Sequence, residues 1–165
     1  MKKIYLLILS LLLIVSSCGY KTEKPSPSQV AKSQASTIIE CFNTGEIEKL
    51  KLLFCENIQN THNLEKEIAE AIEFIDGKIV SEGDWYGMYA GGESIRDGKL
   101  VKQDIHPGMQ NVKTDNGSIY RIVFSSYLVY AENSDNIGMT YITIYDETCG
   151  YSENNDKCTI GKVIY

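Results

Sequence analysis

The chain has 165 residues, 43% apolar and 23% charged, with 16 basic against 22 acidic side chains and a net charge of −6. That length and balance fit one globular domain and exclude a chain disordered throughout. The acidic excess makes nucleic acid an unfavourable partner, and it also opposes anionic lipid headgroups, so attachment to a membrane has to come from something other than charge.

Such an attachment is written at the N-terminus. Lys2 and Lys3 precede an apolar run from Ile4 to Val15, broken only by Ser10, and Val15-Ser16-Ser17-Cys18 closes it. A basic start, a short apolar run and small residues before a cut are the order of a secretory signal. The run is too short to cross a hydrocarbon core about 30 Å thick at about 1.5 Å per helical residue. Small residues directly before a cysteine look like a bacterial lipobox. Residues 1–17 are therefore expected to be removed, leaving Cys18 as a mature N-terminus that carries diacylglyceryl and palmitate-type acyl chains. At about 0.8 kcal/mol per buried methylene, two or three such chains hold a protein on a membrane firmly. The expected address is the outer face of a bacterial cell membrane, with 14 basic and 22 acidic residues, a net charge of −8, in the mature chain.

Gly19 to Gln29 holds two of the three prolines among serines and lysines and has no apolar period. Residues 18–29 read as a flexible tether, and residues 30–165 as a single domain. A first helix is predicted over 30–42, with Ile38, Ile39, Cys41 and Phe42 on its apolar side and Asn43-Thr44-Gly45 ending it. A second, shorter helix places Ile47, Leu50, Leu53 and Phe54 three or four apart, and the following CENIQNTHN reads as a loop. The third helix has the clearest pattern. Asn63 is its N-cap, Leu64, Ile68, Ala71, Ile72 and Ile75 form an apolar stripe, and Gly77 suits the left-handed position beyond its end.

After Gly77 the composition turns β-branched and aromatic. Strands are predicted over 78–89, over 99–104 with a continuation past Pro107 to 114, over 119–131, over 137–145 and over 159–164. Asn116-Gly117 suits a tight primed turn with both central residues at positive φ. Ser125-Ser126 is where a strand too long to stay flat is expected to bend. Three N-terminal helices packed on a strongly curved antiparallel sheet make an α+β domain.

The order of a lipobox, a Pro/Ser tether, an amphipathic helix running into FIDGKIVS, a DNG hairpin, then YRIVFSSYLVY and IGMTYITIYD resembles small bacterial lipoproteins of the domain of unknown function 5104 family. The resemblance implies a nuclear-transport-factor-2-like cone, in which a bent sheet wraps helices around an apolar cavity. It carries fold and address, and no activity.

Besides Cys18 there are four cysteines, Cys41, Cys55, Cys149 and Cys158, which allow three pairings in an oxidising compartment. Cys149 and Cys158 flank a polar loop before the last strand and are expected to form a disulfide. Cys41 and Cys55 lie near the ends of two successive helices, where a bridge and buried free thiols are both open. No CxxC or HxxxH spacing points to zinc, and no motif calls for a cofactor.

Asp104 and His106 stand two apart on a predicted strand. They read as an acid and base at a cavity mouth or, preferably, as a solvent-facing pair before Pro107. Trp85 and Tyr89 are candidates to line a pocket, with sheet packing as the default. Arg121, alone among apolar strand residues, suits an anionic ligand or, preferably, a carboxylate neighbour. Linear nucleophile, phosphate-loop and HExxH motifs do not occur, so no catalytic residue is assigned. The expected role is a non-enzymatic, lipid-anchored envelope module that binds a small ligand or a protein, with a homodimer as one possible assembly. The alternatives are a cone-fold enzyme of isomerase or hydratase type with a buried Asp or His, and a purely structural or interaction lipoprotein.

Overall fold

A computed structural model describes residues 25–87, 91–152 and 156–162. The expected signal segment, Cys18 and Tyr89 lie outside these residues. Four helices come first: α1 (Pro27–Thr44), α2 (Ile47–Lys51), α3 (Glu56–Thr61) and α4 (Leu64–Phe74). Eight strands follow: β1 (Ile79–Ser81), β2 (Asp84–Tyr86), β3 (Glu93–Arg96), β4 (Lys99–Ile105), β5 (Gly108–Thr114), β6 (Ile119–Tyr130), β7 (Gly138–Asp146) and β8 (Lys157–Gly161). Each pairing between these strands is antiparallel and the sheet is open. The domain is α+β, as its pattern predicts.

The expected count of three helices is corrected to four among the described residues, because the stretch read as a loop contains α3. Its Asn and Thr residues have weak helix propensity. Tertiary contacts supply what propensity lacks: Ile58 is fully buried, the Cys55 N–H donates to the Met139 carbonyl at 2.9 Å, and the Asn57 amide donates to Asn136 at 2.9 Å. Helix α1 also starts earlier than predicted. Ser26 and Gln29, read as tether, form a reciprocal capping box, and Pro27 takes the first helical turn, where its missing N–H costs nothing.

Asn63 caps α4 as expected, accepting from the Lys66 N–H at 3.2 Å, and Gly77 is left-handed at φ 89°. Leu64, Ile68 and Ala71 are buried at 2% exposure or less, and Ile75 at 8%. Ile72 sits on the shoulder of this stripe, only partly buried against the core. Two polar clamps fix the helices to the sheet. The Asn43 side chain donates to the Ile79 carbonyl and accepts from its N–H, as a neighbouring strand would, and the Tyr120 hydroxyl accepts from the Asp76 N–H.

The predicted strand 78–89 is broken at Gly83 (φ 68°), where any side chain would overlap the carbonyl of Gln110. Its two pieces, β1 and β2, both pair with β5. Strand β3 went unpredicted because all four of its residues are exposed and show no apolar alternation. Asn116-Gly117 does not make a primed turn, since only Gly117 has positive φ. That geometry occurs instead at Asp97-Gly98, where both residues are left-handed between β3 and β4. The bend expected at Ser125-Ser126 is present: the register between β6 and β7 shifts there.

Strand β6 organises the sheet. Its first half pairs with β5, its second half with β4, and its other edge with β7, which leads to β8. Tyr120, Ile122 and Phe124 alternate towards the helices and join Met109, Val112, Ile142 and Ile144 in one core with Ile38, Phe42, Leu50, Ile58 and Ile68. Where β5, the first half of β6 and β7 face the helices, the sheet is covered by these packed side chains. Arg121 is out of phase with that stripe and belongs to the opposite face.

The four described cysteines are free thiols. The expected Cys149–Cys158 bridge is not formed in this structure. After β7 the Glu147 N–H donates to the Ile119 carbonyl and the Ile119 N–H donates to the Thr148 hydroxyl, drawing this loop towards β6. Cys158 lies on the other side of β7, packed against the core near Glu67 and Glu70 of α4. Cys41 and Cys55 are buried, matching the free-thiol alternative.

Candidate functional site

On the outer face of the sheet, Arg121 of β6 sits at the centre of an open groove of about 640 Å³. Its Nε donates to Oε1 of Glu147 at 2.7 Å, and both side chains are largely buried. The guanidinium lies 3.9 Å from the ring centre of Tyr145, its cross-strand partner on β7, and 5.5 Å from that of Tyr151 in the following loop. A guanidinium over an aromatic face gains from the ring quadrupole, and the exposed Tyr151 ring is within reach of the same attraction. Of the two readings of Arg121, the carboxylate neighbour is the one present.

The other wall comes from β2 and β5. Between Met109 and Val112 the register of β5 against β6 shifts, so Gln110 and Asn111 together stand opposite Arg121. Such a bulge bends a strand and re-aims its side chains. Asn111 is left-handed at φ 57° and its amide donates to Asp84 at 2.8 Å. Gln110 and Asn111 line the groove with Tyr86, Ile119, Thr148, Gly150 and Tyr151. Tyr86 is seated over Gly108, its pairing partner, where a Cβ would overlap the tyrosine ring.

Burial works against the charge of Arg121, and the Glu147 carboxylate, followed by the Tyr86 hydroxyl, more than offsets it, so its pKa moves up. Tyr86 is near enough to contribute, yet its hydroxyl lacks hydrogen-bond geometry to any described residue and is a buried oxygen without a partner. An oxygen of this kind costs free energy unless something completes it.

The predicted pocket residues do not converge. Trp85 packs against the core beside Met109 on the helix-facing side, while Arg121 faces outward. Sequence reasoning weighed the aromatics from Trp85 to Tyr89, Tyr86 among them, as pocket lining, and it missed Gln110, Asn111, Glu147 and Tyr151. Tyr86 was accessible by phase, because a strand neighbour of an inward Trp85 must point outward. Asp104 and His106 are brought together: His106 Nε2 lies 2.6 Å from Asp104 Oδ2, with the imidazole 47% and the carboxylate 14% exposed. This pair is on the half of the sheet where β4 meets β6 at Tyr127, six residues along β6 from Arg121.

Residues 37–147 match the family described as Domain of unknown function (DUF5104), more than half of the chain. No curated protein matches the chain. The chain belongs to the DUF5104 family, whose description assigns no function, so function has to be argued from the site.

Proposed function

We propose that this DUF5104 protein is a lipid-anchored component of the bacterial cell envelope whose domain, a nuclear-transport-factor-2-like cone, binds a small ligand without transforming it. The supporting observation is the groove around Arg121. It combines aromatic surface, an ion pair and an uncompleted buried hydroxyl in a volume within the usual range for ligand sites. The lipobox supports the anchor, since Cys18 follows the small residues at which processing would occur.

Two measurements test the halves of this reading. Cells expressing the wild type should incorporate labelled palmitate, and Cys18→Ala should accumulate as an unlabelled precursor; label retained in the variant refutes the anchor. For the ligand, the full-length protein in detergent is screened by native mass spectrometry against small anions, cations and neutral polyols. A bound species lost in Arg121→Ala is expected, and failure of every class to bind refutes the ligand reading.

The short Asp104–His106 contact favours one second reading, a cone-fold enzyme in which the carboxylate orients the imidazole for acid–base work. In that case His106→Gln would abolish turnover of a substrate bound on the β4 side and leave groove binding intact.

A further inference from the structure

We propose that the groove takes a neutral polyhydroxylated ring, a sugar unit of a glycan, in preference to an anion, a cation or an acyl chain. This rests on the small-ligand reading and specifies the ligand's chemistry.

Charge is the first argument. The charged residues lining the groove, Arg121 and Glu147, are already paired at 2.7 Å and cancel. Glu147 takes the Nε donor of Arg121 and neutralises its charge, so an anion meets no net positive charge at the guanidinium and a cation meets no net negative charge at the carboxylate. The net charge of −6 adds a long-range field against anions.

Hydrogen-bonding capacity is the second. Besides the Tyr86 hydroxyl, the Gln110 amide both donates and accepts, the Thr148 hydroxyl accepts from the Ile119 N–H and keeps its own proton to donate, and the Asn111 amide donates to Asp84 and keeps its oxygen to accept. The Tyr86 hydroxyl has no partner among the described residues. A carboxylate or phosphate only accepts and an ammonium only donates, whereas a ligand hydroxyl does both and matches this lining. An acyl chain would leave these groups unsatisfied.

Shape is the third. Tyr151 is 74% exposed, an unusual position for a large ring, and it lies beside the groove within reach of the guanidinium. A flat aromatic face open to solvent suits the C–H face of a pyranose, which is apolar while its rim is hydroxylated. An open groove also lets a chain of such rings run past the site.

The test uses the full-length protein in a detergent without a sugar headgroup. Binding is measured by calorimetry against neutral gluco-, xylo- and N-acetylglucosamine oligosaccharides, with citrate, glucose 6-phosphate and spermidine as charged probes. At least one neutral oligosaccharide should bind. Tyr151→Ala should weaken it by about tenfold, the scale of one lost aromatic contact, and Tyr151→Trp should retain it. Tyr151 is exposed on a loop, so these variants keep the core intact. Glu147→Gln should weaken the sugar and create affinity for citrate, because Arg121 is then uncompensated. Charged probes binding in the groove of the wild type while every neutral sugar fails would overturn the sugar assignment and leave the small-ligand reading standing. No binding by any probe overturns both.

Discussion

Ile68→Ala tests the placement of α4 on the sheet, the joint on which the domain depends. Ile68 is fully buried, whereas Ile72, one turn on, is only partly so. Truncating isoleucine to alanine removes three carbons, worth about 2.4 kcal/mol at about 0.8 kcal/mol each. A site enclosed by packed neighbours cannot collapse fully, so a cavity contribution moves the cost of Ile68→Ala to about 3–4 kcal/mol. At Ile72 solvent already reaches the side chain, and about 1 kcal/mol is expected. With a urea slope of about 2 kcal/mol per molar, the midpoints fall by about 1.5–2 M and about 0.5 M. Urea titration of both variants, followed by far-ultraviolet circular dichroism, reads the difference. Equal shifts, or a larger shift for Ile72→Ala, would refute the assigned helix face.

Three further outcomes follow from named contacts. Asn43→Asp should cost about 1–3 kcal/mol in the same titration, because a carboxylate cannot donate to the Ile79 carbonyl and leaves it unpaired; an unchanged midpoint would show that the clamp is dispensable. Gly108→Ala should displace the Tyr86 ring and cost about 1–3 kcal/mol, seen as a change in tyrosine near-ultraviolet dichroism; an unchanged spectrum and midpoint would refute the seating of Tyr86 over Gly108. Iodoacetamide at pH 8 should label exposed Cys149 first, since burial raises the Cys41, Cys55 and Cys158 thiols and lowers their thiolate fraction. Peptide mapping reads the order, and a Cys149–Cys158 disulfide in unreduced protein would refute the free-thiol arrangement.

The parts of the fold legible in the sequence are those where local and tertiary preferences agree. The α4 stripe, its Asn63 cap and the long β6 strand with its bend at Ser125-Ser126 each follow from spacing alone. The misses share a cause: the structure there is decided by partners far along the chain. Helix α3 depends on Met139 and Asn136, and the break at Gly83 on the backbone of Gln110. The expected bridge is not formed in the structure, and a similar reason applies. A short loop brings two cysteines near each other along the chain, but β7 stands between the paths of Cys149 and Cys158.

The groove shows the same division at the level of the site. Arg121 was conspicuous because a charge in an apolar strand must be accounted for, and a carboxylate partner was the expected account. That this partner is Glu147 was not legible, because it depends on the loop after β7 turning towards Ile119. Alternation does place Arg121 out of phase with Tyr120, Ile122 and Phe124, and hence on the face opposite Trp85. What alternation cannot supply is concavity, since a regular antiparallel pair presents a nearly flat outer surface. The β5 bulge sets two residues against Arg121 and turns Asn111 left-handed, while the loop carrying Tyr151 rises at the far side. A flat sheet face thus becomes a groove at the place where the outward Arg121 guanidinium is already neutralised by Glu147, and that neutralisation is why hydroxyl chemistry rather than charge is proposed as the basis for recognition there.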